Sequence, residues 1–196
     1  MTVDERLARL YEPHVLPLMR LIKEIRQRGV SVPNIEPNDG GVNATIAFLL
    51  ETPGPRAVAS NFVSFDNDDP SARNMKYELN AAGFNRKSIF IWNVVPYCIS
   101  TETKNKNASA HQIVDAAPDT RAFLALLPEL KAVVFCGRSA QRAERHLSLP
   151  PNVKVFKTYH PALRSYRQPH CKADISRTFT AAFEYCAKPS FPRIGA

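Results

Sequence analysis

The chain has 196 residues, 44% hydrophobic and 22% charged, the balance of one globular domain long enough to bury a substantial core. No apolar run has the length of a membrane helix. Residues 2–10 lack the apolar core of a signal peptide, so the expectation is a cytoplasmic protein, a single domain over 1–196. The formal charge of +8 is unevenly placed: residues 1–70 carry seven Lys/Arg against ten Asp/Glu, and residues 138–177 carry nine against two. A basic half of this kind suits a polyanion such as nucleic acid; a generic solubilising surface gives the same charge pattern.

The apolar spacing of Leu7, Leu10, Leu18, Leu21, Ile22 and Ile25 predicts helix over 4–28, divided in two by Pro13 and Pro17 and stopped at Gly29. A loop rich in Pro and Gly follows to residue 43. Residues 44–50 read as a buried strand that runs into a Pro-Gly turn, and 57–69 as a polar loop holding Phe62 and Phe65. Asp69-Pro70 has the residues of an N-cap and first helical position, for a helix ending near Gly83. Residues 88–95 form the most apolar strand, with Asn93 at its carboxyl end. The polar stretch 99–117 reads as a long loop able to fold over a ligand, with a helix from Pro118. Residues 131–136 make a third strand, turning at Gly137 into a basic helix, and 153–158 a fourth, followed by Tyr159-His160-Pro161. A last helix spans 172–187, and 189–196 read as a loose tail.

Alternation of strands and helices predicts an α/β fold: three α/β/α layers around a central, mostly parallel four-stranded sheet. Glu51-Thr-Pro-Gly-Pro55, Asn93, Gly137 and His160 then share the carboxyl edge, where open α/β sheets bind ligands. Cys98, Cys136, Cys171 and Cys186 form no Cys-x-x-Cys pair, so reduced structural thiols and no zinc site are expected.

Glu-Thr-Pro-Gly-Pro, Trp-Asn-Val-Val-Pro-Tyr and His-Pro-Ala-Leu-Arg-Ser resemble, in order and spacing, the site motifs of the uracil-DNA glycosylase superfamily over about residues 45–165. The resemblance implies a repair glycosylase that flips uracil out of DNA and hydrolyses its N-glycosidic bond, leaving an abasic site and free uracil. Asn93 would read the O4/N3 edge of the base, an amide offering both a donor and an acceptor. His160 would donate to the charge developing at O2. Phe65, twelve residues after Pro53, matches the family's stacking ring, with Phe62 as the rival. Pro53 and Gly54 would let backbone approach the ligand. Leu163 matches the wedge that fills the vacated stack, with Arg164, Arg167 and Arg138 on phosphates. The Gly137–Ser139 turn offers either phosphate-binding N–H groups or close helix–strand packing.

Two departures bear on the chemistry. Thr52 stands where several branches carry the water-activating Asp or Asn, so Glu51 is the candidate for positioning water or stabilising the cationic sugar, with Asp66 and Asp68 in reserve. No cysteine precedes Cys98, whereas the branch with an iron–sulfur cluster places two near the N-terminus; no metal or other cofactor is expected. The family reading implies a monomer on single- or double-stranded DNA. The competing class is a DNA-binding module of the same fold that recognises uracil or abasic sites without efficient turnover. Gly-x-Gly-x-x-Gly and P-loop patterns are absent.

Overall fold

The computed structural model describes residues 2–99 and 106–188. The N-terminal helical stretch divides as its prolines require. In α1 (Val3–Ala8), Thr2 and Glu5 form a capping box, each side chain accepting the other's backbone N–H. Pro17 sits in the first turn of α2 (Leu16–Arg26), where its missing N–H has no helical partner to lose. That helix buries Leu18, Ile22 and Ile25, and Gly29 turns the chain at φ +81°.

The expected loops on either side of the first strand contain regular structure. β1 (Asn34–Ile35) lies in the first; the second opens with α3 (Pro55–Ser60) and continues as β3 (Phe62–Val63), which pairs in parallel with β1. Strands of two residues show no alternation in sequence, which is why a loop was expected there. β2 (Ile46–Leu50), β4 (Ile89–Asn93), β5 (Ala132–Cys136) and β6 (Lys154–Thr158) form the main sheet, wholly parallel, in the order β4-β2-β5-β6.

Two helix starts differ from expectation, and one short helix is additional. α4 (Pro70–Ala81) starts as predicted, with the Asp69 carboxylate accepting the Ala72 N–H. α5 (Ala110–Ala125) begins eight residues before Pro118, at a capping box of Ser109 and Gln112. Pro118 is inside it, and the helix survives because Ile113, Ala116, Ala117, Thr120, Phe123 and Leu124 bury one continuous stripe across the proline. After α6 (Arg138–Ala143), a short α7 (Leu163–Tyr166) precedes α8 (Pro169–Ala187), which starts three residues before the predicted 172. Part of the expected 99–117 loop, residues 100–105, and the expected tail 189–196 lie outside the described residues.

Helices cover both faces. Phe90 and Trp92 of β4 pack on Phe123 of α5, whereas Phe48 of β2 packs on Phe179 of α8 and on Phe84. Phe48 aligns with Ile91 and Leu50 with Asn93, so side-chain alternation puts Asn93 on the α8 side of the sheet. Thr158 of β6 lies on the same side, its hydroxyl donating to Asp174 of α8 at 2.8 Å.

Candidate active site

The strand order makes β2 the point from which the chain first steps to β4 and then crosses back to β5. Ligands of open α/β sheets bind at such a switch, beyond the carboxyl ends of the strands. Here one bond spans it: Ser139 Oγ, at the start of α6, donates to Glu51 Oε1 at 2.7 Å. The Ala108 N–H donates to the same oxygen at 2.6 Å, so Glu51 also fastens the chain entering α5. No described residue hydrogen-bonds Oε2. Glu51 thus presents one fixed and one unengaged oxygen. The Ser139 hydroxyl is engaged with this carboxylate.

Asn93 is 4% exposed, and its side-chain amide makes no hydrogen bond with any described residue; its nitrogen and oxygen are not among the fully buried polar atoms left without a partner, so they reach open space at the strand end. An amide offers both a donor and an acceptor to whatever fills that space. At the carboxyl end of β4, such a group is poised for a ligand.

His160 follows β6 in the next turn. The Ala162 N–H points at its Nδ1 at 3.0 Å. A backbone N–H can only donate, so Nδ1 is the acceptor and the neutral ring carries its proton on Nε2. Burial pushes the imidazole pKa below its ordinary value, opposed by the carboxylates of Glu51 and then Asp69. The ring is therefore a neutral Nε2–H donor with two anions in its neighbourhood.

Gly137 makes this packing possible. Its φ of +93° and ψ of 163° belong to a region open essentially to glycine, and a Cβ there would lie 2.9 Å from His160 Cβ. Its N–H donates to Thr158 O, and Gln141 Nε2 donates to the same carbonyl, tying the turn to the end of β6. Close helix–strand packing, one of the two readings of this turn, is present. Gly54 differs: its φ is −79°, and a Cβ would meet nothing within 4 Å. The space before it is open. Pro53 is buried and Thr52 half-buried beside it.

The two aromatic candidates separate. The Phe62 ring is fully buried, with the Arg6 guanidinium 3.9 Å from its centroid, and its carbonyl accepts from Asn67; it belongs to the core and has no free face for a base. Phe65 is also buried and packs in the hydrophobic core, but it keeps 7% exposure, and its only cation or ring contact among the described residues is the Arg86 guanidinium at 4.2 Å. Asp66 binds Arg86 and Lys76, and the exposed Asp68 binds Arg73, so both reserve acids are held in ion pairs.

Leu163 opens α7, 41% exposed, with Arg164 and Arg167 exposed in the same turn and Arg138 exposed at the start of α6. Residues that sequence reasoning missed hold this loop. Asn74 of α4 donates to the Pro161 carbonyl at 2.8 Å, and Tyr166 OH donates to the buried Glu78 of α4 at 2.7 Å. Nothing in the local pattern marks them, since the partners lie on distant segments. Two surface concavities beside Val155 of β6 lie away from Glu51, Asn93 and His160 and include none of the three. Among the described residues, no group of three His, Cys, Asp or Glu is placed to hold a metal ion.

Fold and edge together define a doubly wound α/β protein with a candidate ligand site at the switch of its parallel sheet. The sequence model of the uracil DNA glycosylase superfamily matches residues 37–184, which include every strand of the main sheet and all the site segments. The chain belongs to that superfamily, whose work is DNA repair of the glycosylase type. Among solved structures, the wild-type SMUG2 of Pedobacter heparinus is similar, with a TM-score of 0.53 at 14% identity, over 89% of this chain and 83% of that one. At that identity the likeness is one of fold. No curated protein sequence matches the chain.

Proposed function

We propose that this protein is a uracil-DNA glycosylase that extrudes deoxyuridine and hydrolyses its N-glycosidic bond. The observation that carries this reading is the Asn93 amide, free of any described hydrogen-bond partner and open at the strand end, on the same sheet edge as the Nε2–H of His160. The amide reads O4 and N3 of the base. As the N1–C1′ bond breaks, its electron pair leaves with uracil, and the charge at O2 meets the His160 donor. Water bonds to C1′ and loses a proton to the departing base or to solvent. Glu51, held through Oε1 by Ser139 and Ala108, offers Oε2 to that water and an anionic charge to the oxocarbenium-like sugar. Phe65 stacks on the base, Leu163 fills the gap in the helix, and Arg138, Arg164 and Arg167 take phosphates.

One observation favours a second reading, a module that holds uracil or an abasic site without efficient turnover. Thr52 is no general base, and half of the Glu51 carboxylate is occupied. A product assay decides. Incubation of uracil-containing single- and double-stranded DNA with excess protein, without added metal, should release free uracil and leave alkali-labile sites. Tight binding with no product would select the module. If the exposed arginines face DNA, affinity falls steeply with salt, and Arg164→Ala flattens that slope.

A further inference from the structure

Phe65 is backed by a cation tethered at Nε and Nη1, while its buried Nη2 makes no hydrogen bond with any described residue. Arg86 lies in the turn that leads into β4, seven residues before Asn93. Its guanidinium stacks 4.2 Å from the Phe65 ring centroid. Nε donates to Asp39 Oδ1 at 2.7 Å, Nη1 to Asp66 Oδ2 at 2.5 Å, and Nη2 lies 3.8 Å from Glu36 Oε1. Asp39 and Glu36 are almost completely buried, and Lys76 bridges to Asp66 from the far side. These partners come from two separate segments, residues 36–39 and 65–66. Together they fix the plane of the guanidinium, and a planar cation against one ring face leaves that ring a single orientation.

The surrounding carboxylates balance the positive charge, so the field reaching a base beyond the ring is small. What survives is geometry. A stacking ring attached to a loop must be held from behind if its front face is to meet a flipped base at one height and tilt. The same segment, β4 and its leading turn, carries both the backing residue and Asn93. Stacking height and edge reading are thereby set from one rigid strand.

We propose that Arg86 is a positioning residue, a backing plate that fixes Phe65 for stacking on the extruded base. This rests on the glycosylase reading. The alternative role for the Arg86 cluster is to stabilise the fold alone. The two separate in a double-mutant cycle, because coupling through Phe65 disappears once the ring is gone.

The experiment compares wild type, Arg86→Lys, Phe65→Ala and the double variant. Arg86→Lys keeps a positive charge beside Asp39 but lacks the plane; if it fails to fold, Asp39→Ala replaces it, removing the acceptor of the Nε tether. Base extrusion is followed by the fluorescence of a 2-aminopurine next to uracil, and chemistry by single-turnover uracil release. Thermal melting records folding. Arg86→Lys should lower extrusion and release by about 10-fold in the wild-type background and by no more than about 2-fold in the Phe65→Ala background. Equal losses in both backgrounds would assign Arg86 to the fold alone, and no loss in either would remove it from the site. Wild-type protein that extrudes the base but releases no uracil would overturn the glycosylase reading and still leave the extrusion cycle to decide on Arg86.

Discussion

Gly137→Ala and Gly54→Ala form a matched pair, because the same added methyl group meets opposite surroundings. At Gly137 the backbone stands at φ +93°, ψ 163°, a conformation costing a residue with Cβ roughly 1–3 kcal/mol. The new Cβ would also lie 2.9 Å from His160 Cβ. Carbon atoms pack at about 3.5–4.0 Å, so the histidine or the turn must yield by roughly 0.6–1 Å. A misplacement of that size at a reacting group costs about 100-fold in rate. In a domain of this length each kcal/mol shifts Tm by roughly 2–4 °C. Gly137→Ala should therefore melt several degrees lower and release uracil about 100-fold more slowly under single-turnover conditions. At Gly54 the backbone suits any residue and the space is empty, so Gly54→Ala should melt at or slightly above the wild-type temperature. If that space admits the base, the same variant should lose activity without losing stability. Gly137→Ala with wild-type Tm and rate would refute the argued contact between the β5–α6 turn and His160.

Other consequences are measurable in the same assays. With the His160 pKa lowered by burial, the neutral donor persists below pH 6.5, so the acid limb of the pH–rate profile should fall below that value, and lower still in Glu51→Gln. The linked stability is complete above the unfolded pKa near 6.5 and is lost as pH falls from there toward the folded value, visible as a Tm decrease that His160→Gln abolishes. Ser139→Ala removes one of two anchors on Glu51 Oε1; release should slow by about 3–30-fold with a cost to folding of no more than about 1.5–3 kcal/mol, read by urea titration. Arg6→Ala, which strips the buried Glu36 of its closest ion-pair partner, should destabilise by about 3–5 kcal/mol, whereas Arg73→Ala, whose pair with Asp68 is exposed, should change stability by less than about 1 kcal/mol.

The parts of the fold legible in the sequence are those fixed by local chemistry. Asp69-Pro70 specified the start of α4, Pro17 the start of α2, and the β-branched and aromatic runs the four strands of the main sheet. Pro118 has the character of a helix start in the sequence, yet α5 starts at the Ser109–Gln112 capping box. The β1–β3 ribbon and α7 are too short to carry a period. At the site, Asn93, Gly137 and His160 were visible because each ends a strand. The bonds from Ser139 to Glu51, from Asn74 to Pro161 and from Tyr166 to Glu78 join residues 87 or 88 positions apart, and no local pattern encodes them. The full burial of Phe62 under Arg6 and the contact of Phe65 with Arg86 likewise join distant residues that no local pattern encodes.

The most direct test of the account is uracil release by Asn93→Asp. The substitution preserves size but replaces the amide donor with a carboxylate oxygen, so O4 of uracil faces an acceptor in a site only 4% exposed. The account predicts a folded protein that still binds DNA and has lost about 2–5 kcal/mol of transition-state stabilisation, on the order of 30- to 5,000-fold in single-turnover rate. Full uracil release by folded Asn93→Asp would contradict it, because the amide at the end of β4 would then not be reading the base.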